Sequence, residues 1–128
     1  MGTPAVVAGN RIIGICTSHL MPAPSGTTAA GPRAFSAPIA LGTIPTVLIG
    51  GKPAAVNGSS GINDNPAHAG IVDAPFAAPP GQIGHVTSGS QTVLIGGKPA
   101  ATISSQASCC KSSDVGKIAP GVATVLIG

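Results

Sequence analysis

Thr46-Val47-Leu48-Ile49-Gly50-Gly51-Lys52-Pro53-Ala54-Ala55 returns residue for residue at Thr92 to Ala101. A third Thr-Val-Leu-Ile-Gly occupies Thr124 to Gly128, and the opening Gly2-Thr3-Pro4-Ala5-Val6-Val7 is a variant of Gly51-Lys52-Pro53-Ala54-Ala55-Val56. Thr-Val-Leu-Ile is β-branched and apolar, Gly-Gly admits the positive φ of a tight turn, and proline is tolerated just after it where no ladder donor is required. The segment reads as a short hairpin. Cutting before each head gives three units, 2–50, 51–96 and 97–128, which share heads and tails and differ in their middles. Shared ends predict a common scaffold, and variable middles predict long irregular loops. Packing the Val, Leu and Ile side chains of three hairpins about one axis gives a single chain approximate threefold symmetry.

The composition suits a narrow body of this kind. A length of 128 residues allows one domain, spanning 1–128. Glycine (19) and proline (13) make a quarter of the chain, which by itself suggests disorder, but charged residues are only 7% and hydrophobic ones 43%, so there is apolar surface to bury. With no Trp, no Tyr and only Phe35 and Phe76, the interior must be filled by Ala, Val, Ile and Leu. An all-β fold with little or no helix is predicted, since Pro and Gly interrupt every helical period in the middles.

Several functions are disfavoured on the same grounds. The net charge of +3 comes from six scattered basic residues, and stacking aromatics are missing, so nucleic-acid recognition has little support. No run approaches 18 consecutive apolar residues, and the N-terminal residues lack the basic and apolar regions of a signal peptide. The odd count of three cysteines, two of them adjacent, makes a poor disulfide framework and points to synthesis in a reducing cytoplasm.

The heads Gly-Lys-Pro-Ala-Ala, the tails Thr-Val-Leu-Ile-Gly and the stretch Ser88 to Gly96 resemble PAAR-repeat proteins. Val56 and Thr102 stand where that family's arginine follows Pro-Ala-Ala, and the first two middles are longer than usual. The resemblance implies a β cone stiffened by zinc at its apex, whose base docks on a homotrimeric, β-helical, VgrG-like spike, one tip per trimer. Type VI secretion systems, contractile phage tails and related extracellular injection particles use such tips. It further implies incorporation at the tip of the particle, outward delivery on contraction, transient contact with a target membrane, and effector or baseplate contacts through the long loops.

Metal ligands are suggested by repeat phase. His19 lies 17 residues after Gly2, and His68 lies 17 after Gly51. The equivalent position in the third unit is Asp114, but Cys109 and Cys110 precede it at offsets 12 and 13, where a shorter loop could deliver a thiolate. Adjacent residues on an extended segment point oppositely, so one of the two should bind. Cys109 is favoured because its offset is closer to that of the usual ligand in short PAAR-like units. Cys16, in a Cys-x-x-His pair with His19, is its main rival. With His85 the set becomes His₃Cys, a combination resembling the family's, on a structural zinc. Such a clasp would supply folding energy where three loops meet without room for a core.

Catalysis is poorly supplied. Asp64, Asp73 and Asp114 are the only acidic side chains, every histidine is wanted by the metal, and the glycine-rich stretches lack the Lys-Ser/Thr ending of a phosphate loop. A non-enzymatic tip is therefore expected. The alternatives are a zinc-dependent hydrolase, with Asp64 or Asp114 as base, and a β-solenoid surface-binding protein, for which the repeated threonines are too few. Phe35 and Phe76 sit in comparable settings, Pro32-Arg33-Ala34-Phe35 and Asp73-Ala74-Pro75-Phe76, where local loop packing or a flank contact is expected.

Overall fold

The computed structural model describes residues 2–17, 19–29, 31–73, 76–77 and 79–128, so Ala74 and Pro75 lie outside the described residues. The chain is all-β. Its strands are β1 (Thr3–Ala5), β2 (Arg11–Cys16), β3 (Leu20–Ala23), β4 (Gly26–Ala29), β5 (Arg33–Pro38), β6 (Ile44–Ile49) and β7 (Lys52–Ala54). They continue as β8 (Ser60–Ile62), β9 (Ile83–Val86), β10 (Leu94–Ile95), β11 (Lys98–Pro99), β12 (Ala107–Cys109), β13 (Lys111–Ala119) and β14 (Val122–Ile127). Two single turns of 3₁₀ helix, Pro66–His68 and Pro79–Gly81, are the helical segments among the described residues.

Each copy of the repeated decapeptide forms a hairpin. In β6–β7 and β10–β11 the pairs Ile49↔Lys52 and Ile95↔Lys98 flank a Gly-Gly turn. Gly50 and Gly51 have φ of 59° and 82°, and Gly96 and Gly97 have 59° and 81°, values that match the right-handed strand twist and that a β-branched residue would resist. Every hairpin thus joins the tail of one unit to the head of the next. The strand of the third Thr-Val-Leu-Ile-Gly, β14, pairs antiparallel with the opening strand β1 through Thr3↔Ile127 and Pro4↔Leu126. The circle closes on the chain's own beginning.

The heads interlock about the axis so enclosed. Val6 N donates to Ala101 O, Ala101 N to Ala55 O and Ala55 N to Val6 O, at 3.1, 3.0 and 2.9 Å. A second ring links Ala8 N to Pro53 O, Asn57 N to Pro99 O and Ile103 N to Pro4 O, at 2.9, 2.9 and 3.1 Å. The turn after each head is fastened the same way by different side chains: Asn10 Oδ1, Ser59 Oγ and Ser105 Oγ accept from the amides of Val7, Val56 and Thr102. Three backbones meeting this closely leave space only for small groups, which is why the equivalent Ala5, Ala54 and Ala100 are all buried there. They form one core cluster with Ile49, Ile95 and Ile127, the equivalent isoleucines of the three tails.

On the other side of the rings lies a six-stranded sheet in the order β5-β2-β13-β12-β9-β8, built mainly from the middles. It curls around a second core cluster that includes Ile12, Phe35, Ala37, Ile39, Val86, Cys109 and Ile118. The edge strands β8 and β5 approach each other at a seam, where Asp64 N donates to Ser36 O and Ser36 N to Asn63 Oδ1. A Cβ on Gly61 would stand 2.1 Å from Pro38 O, so the seam closes only over glycine. The barrel is nearly complete, and the β3–β4 hairpin projects from it as a separate two-stranded sheet.

Candidate metal centre

Strand alternation in β2 turns Ile12 and Cys16 inward and leaves Ile13 and Ile15 exposed. Cys16 ends the strand, and three residues later His19 is buried. His68 closes the Pro66–His68 turn, which starts at Asn65, whose side chain accepts from Ala67 N at 2.9 Å. Cys110 sits in the tight connection between β12 and β13, flanked by the pair Cys109↔Lys111. Its φ of 56°, the positive value of a non-glycine residue, lifts it out of the strand alternation.

These local devices bring Cys16, His19, His68 and Cys110 together, with their ligand atoms all within 4.8 Å of one another. Zinc bonds of about 2.3 Å to sulfur and 2.0–2.1 Å to nitrogen place S and N roughly 3.6 Å apart in a tetrahedron. Cys110 Sγ and His68 Nε2 are 3.7 Å apart. The cluster could therefore hold a metal ion through two sulfurs and two imidazoles.

The second layer supports the same reading. Asp73 Oδ2 lies 2.9 Å from His19 Nδ1, and Asp73 Oδ1 accepts from Leu20 N at 3.1 Å. With the proton on Nδ1, His19 Nε2 keeps a lone pair; that atom is buried and has no hydrogen-bond partner among the described residues. A carboxylate that orients an imidazole in this way is the common companion of a metal-bound histidine. Lys111 Nζ is 3.5 Å from the same Asp73 oxygen and 5.5 Å from the Phe76 ring centroid. Phe76 meets His19 edge-on at 5.3 Å, and Phe35 meets His68 at 5.9 Å, so both phenylalanines wall the cluster.

Protonation follows from these surroundings. Burial, then the neighbouring His19, lowers the pKa of His68 and keeps its ring neutral, as a ligand must be. The contact with Cys110, then burial, raises that of Cys16, a preference that a cation between the sulfurs would reverse. Burial works against the charge of Asp73, but the bonds from His19 and the Leu20 amide outweigh it and hold its pKa below the ordinary value.

His85 and Cys109, the other two expected ligands, stand outside this cluster. His85 lies on β9 opposite Ser60 and Ser108, where alternation buries Gly84 and Val86 and leaves the imidazole exposed. Cys109 keeps the inward direction of β12 and enters the core, where burial, then Cys16 and Asp114, pushes its thiol pKa up to about 12. Its sulfur fills the space that a Cβ on Gly14 or Gly116 would need, at 2.5 and 2.7 Å. Asp114, the phase equivalent of the two histidines, is buried with Oδ1 accepting from Thr17 Oγ1 at 3.0 Å, and is not in the cluster. The Cys-x-x-His spacing pointed to Cys16. Nothing in the sequence separated Cys110 from Cys109 by conformation or marked Asp73 as the partner of His19.

Residues 77–128 match the family model described as PAAR motif. This segment carries a PAAR motif. The matched segment contains the second Thr-Val-Leu-Ile-Gly-Gly-Lys-Pro-Ala-Ala and the third tail, and the first decapeptide repeats it outside the matched residues. Comparison with curated proteins and with solved structures finds no match. The PAAR motif points to a structural spike-tip protein of contractile injection systems, and the Cys/His cluster is a candidate metal centre.

Proposed function

We propose that this PAAR chain is the metal-stabilised tip that caps and sharpens the trimeric, β-helical spike of a contractile injection machine. One observation carries the reading: a single chain closes two equivalent hairpins and the matching β1–β14 pair into a ring. Leu48, Leu94 and Leu126 occupy the same place in the three tails and are 61%, 63% and 57% exposed, whereas the isoleucine after each is buried. An exposed leucine repeated three times about an axis is a face that a homotrimer's blunt end can match, with affinity from apolar and backbone contacts. The three units 2–50, 51–96 and 97–128 would each meet one spike subunit. A tip is carried outward with its particle and touches the target membrane only in transit. The enlarged middles, including the β3–β4 hairpin, are the parts free to meet an effector or the baseplate.

At the opposite end, Cys16, His19, His68 and Cys110 would hold one zinc, with Asp73 fixing the tautomer of His19. Zinc bound by four protein ligands supplies folding energy and stiffness and no substrate position. The residues come from all three units, so their joint ligation would lock the three middles to one another. Supported mechanical rigidity, with no catalytic step assigned, is the role this arrangement suits.

Native mass spectrometry of the chain mixed with a trimeric spike, and metal analysis of the purified chain, test the two halves. Expected are one chain per three spike subunits and close to one equivalent of zinc. A 1:1 ratio with spike subunits would defeat the capping role, and folded protein without metal would defeat the zinc assignment.

A further inference from the structure

The candidate ligand set contains two thiols, and their sulfurs share a site in which all four ligand atoms lie within 4.8 Å. From the geometry we infer that Cys16 and Cys110 are also a redox pair, which closes the apex with a disulfide when metal is absent and an oxidant is present. The inference uses the same cluster as the zinc assignment but does not require that assignment to hold.

Access and conformation assign the two roles. Cys110 is half-buried and lies on the turn between β12 and β13, whereas Cys16 is fully buried at the end of β2. A small-molecule disulfide therefore meets Cys110 first. The Cys110 thiolate attacks one sulfur of the oxidant, forming a mixed disulfide and releasing one small thiol. Cys16 then attacks Cys110 Sγ as its proton passes to the departing small thiolate, forming the Cys16–Cys110 bond and releasing the second small thiol. Two protein thiols are oxidised and one small disulfide is reduced. Cys109 is the competitor by sequence, but it points into the core, with its sulfur packed over Gly14 and Gly116. Because β2 and the β12–β13 turn belong to the first and third units, either closure ties the same two parts of the chain. A tip that passes from a reducing cytoplasm to an oxidising exterior would thus keep its apex closed after metal loss.

The test uses the full chain, stripped of metal with a chelator and incubated with excess oxidised glutathione, then alkylated and digested with trypsin. Two of the three thiols should be lost and peptide 12–33 should be found linked to peptide 34–111. The link should survive Cys109→Ala and vanish in Cys110→Ser, and the oxidised metal-free chain should melt above the reduced metal-free chain. Loading with zinc beforehand should slow bond formation several-fold. Three thiols still free, or a link that survives Cys110→Ser and vanishes in Cys109→Ala, would overturn the pairing. A link that forms equally fast with zinc present would support the pairing while removing the metal assignment.

Discussion

Asp73 holds His19 through Nδ1 at 2.9 Å, so the imidazole can offer only Nε2 to the cluster. In Asp73→Asn the amide can donate as well as accept, and it no longer enforces that tautomer or orientation. The expected result is a loss of metal affinity of about 10–100-fold with the fold retained, measured by competition with a chromogenic chelator. Neighbouring cysteines should separate cleanly under the same assay. Cys16→Ser and Cys110→Ser each remove a ligand sulfur and should reduce metal retention, whereas Cys109→Ala leaves the cluster intact. The latter change empties part of the core beneath Gly14 and Gly116 and should cost about 1–2 kcal/mol in urea unfolding. Equal metal retention by all three variants would remove the assigned set.

The seam between β5 and β8 is where an element-level interaction is most exposed to test. Gly61→Ala drives a methyl into the Pro38 carbonyl at 2.1 Å, and the strands must part, at a cost of about 3 kcal/mol or more in denaturant unfolding. Arg11 fastens β2 to the start of the second middle through a two-pronged pair with Asp64, at 2.7 and 2.9 Å, and the guanidinium lowers the carboxyl pKa. A lowered folded pKa stabilises above the unfolded value, about 3.9, and that contribution is lost as pH falls through the folded value. Both partners are partly exposed, so the effect is small. The difference in Tm between the parent chain and Asp64→Asn should be flat from neutral pH down to about pH 5 and shrink towards zero at more acid pH. A difference that grew with acidity would mean that the pair does not stabilise the seam.

At the scale of the whole molecule, the ring of hairpins separates what folds the chain from what it presents. Ile49, Ile95 and Ile127 are buried in the core between the hairpins, while the leucine before each stands in solvent. Leu48→Asp, Leu94→Asp and Leu126→Asp should therefore leave stability within about 0.5 kcal/mol of the parent. Each should weaken capture of the chain by a trimeric spike in a pull-down, and the triple variant should abolish it. A triple variant that still caps the spike would place the docking face elsewhere.

The sequence by itself determined the repeat, the hairpins and the threefold scheme, because Thr-Val-Leu-Ile, Gly-Gly and Pro-Ala-Ala are local signals whose turn chemistry needs no distant partner. It also singled out His19 and His68 by their equal offsets from equivalent heads, although Asp114 at the same offset in the third unit stays out of the cluster. The pairing of β1 with β14 and the two rings of head hydrogen bonds were decided in the tertiary structure, because they join segments far apart along the chain. Cys110 joins the cluster through a left-handed φ in a tight turn, whereas strand alternation required only that one of the two adjacent cysteines bind and the offset favoured Cys109. His85 faces solvent because Gly84 and Val86 of the same strand face the core, and Asp73 meets His19 only because two long middles converge. Such contacts depend on loop paths, which repeat phase does not encode.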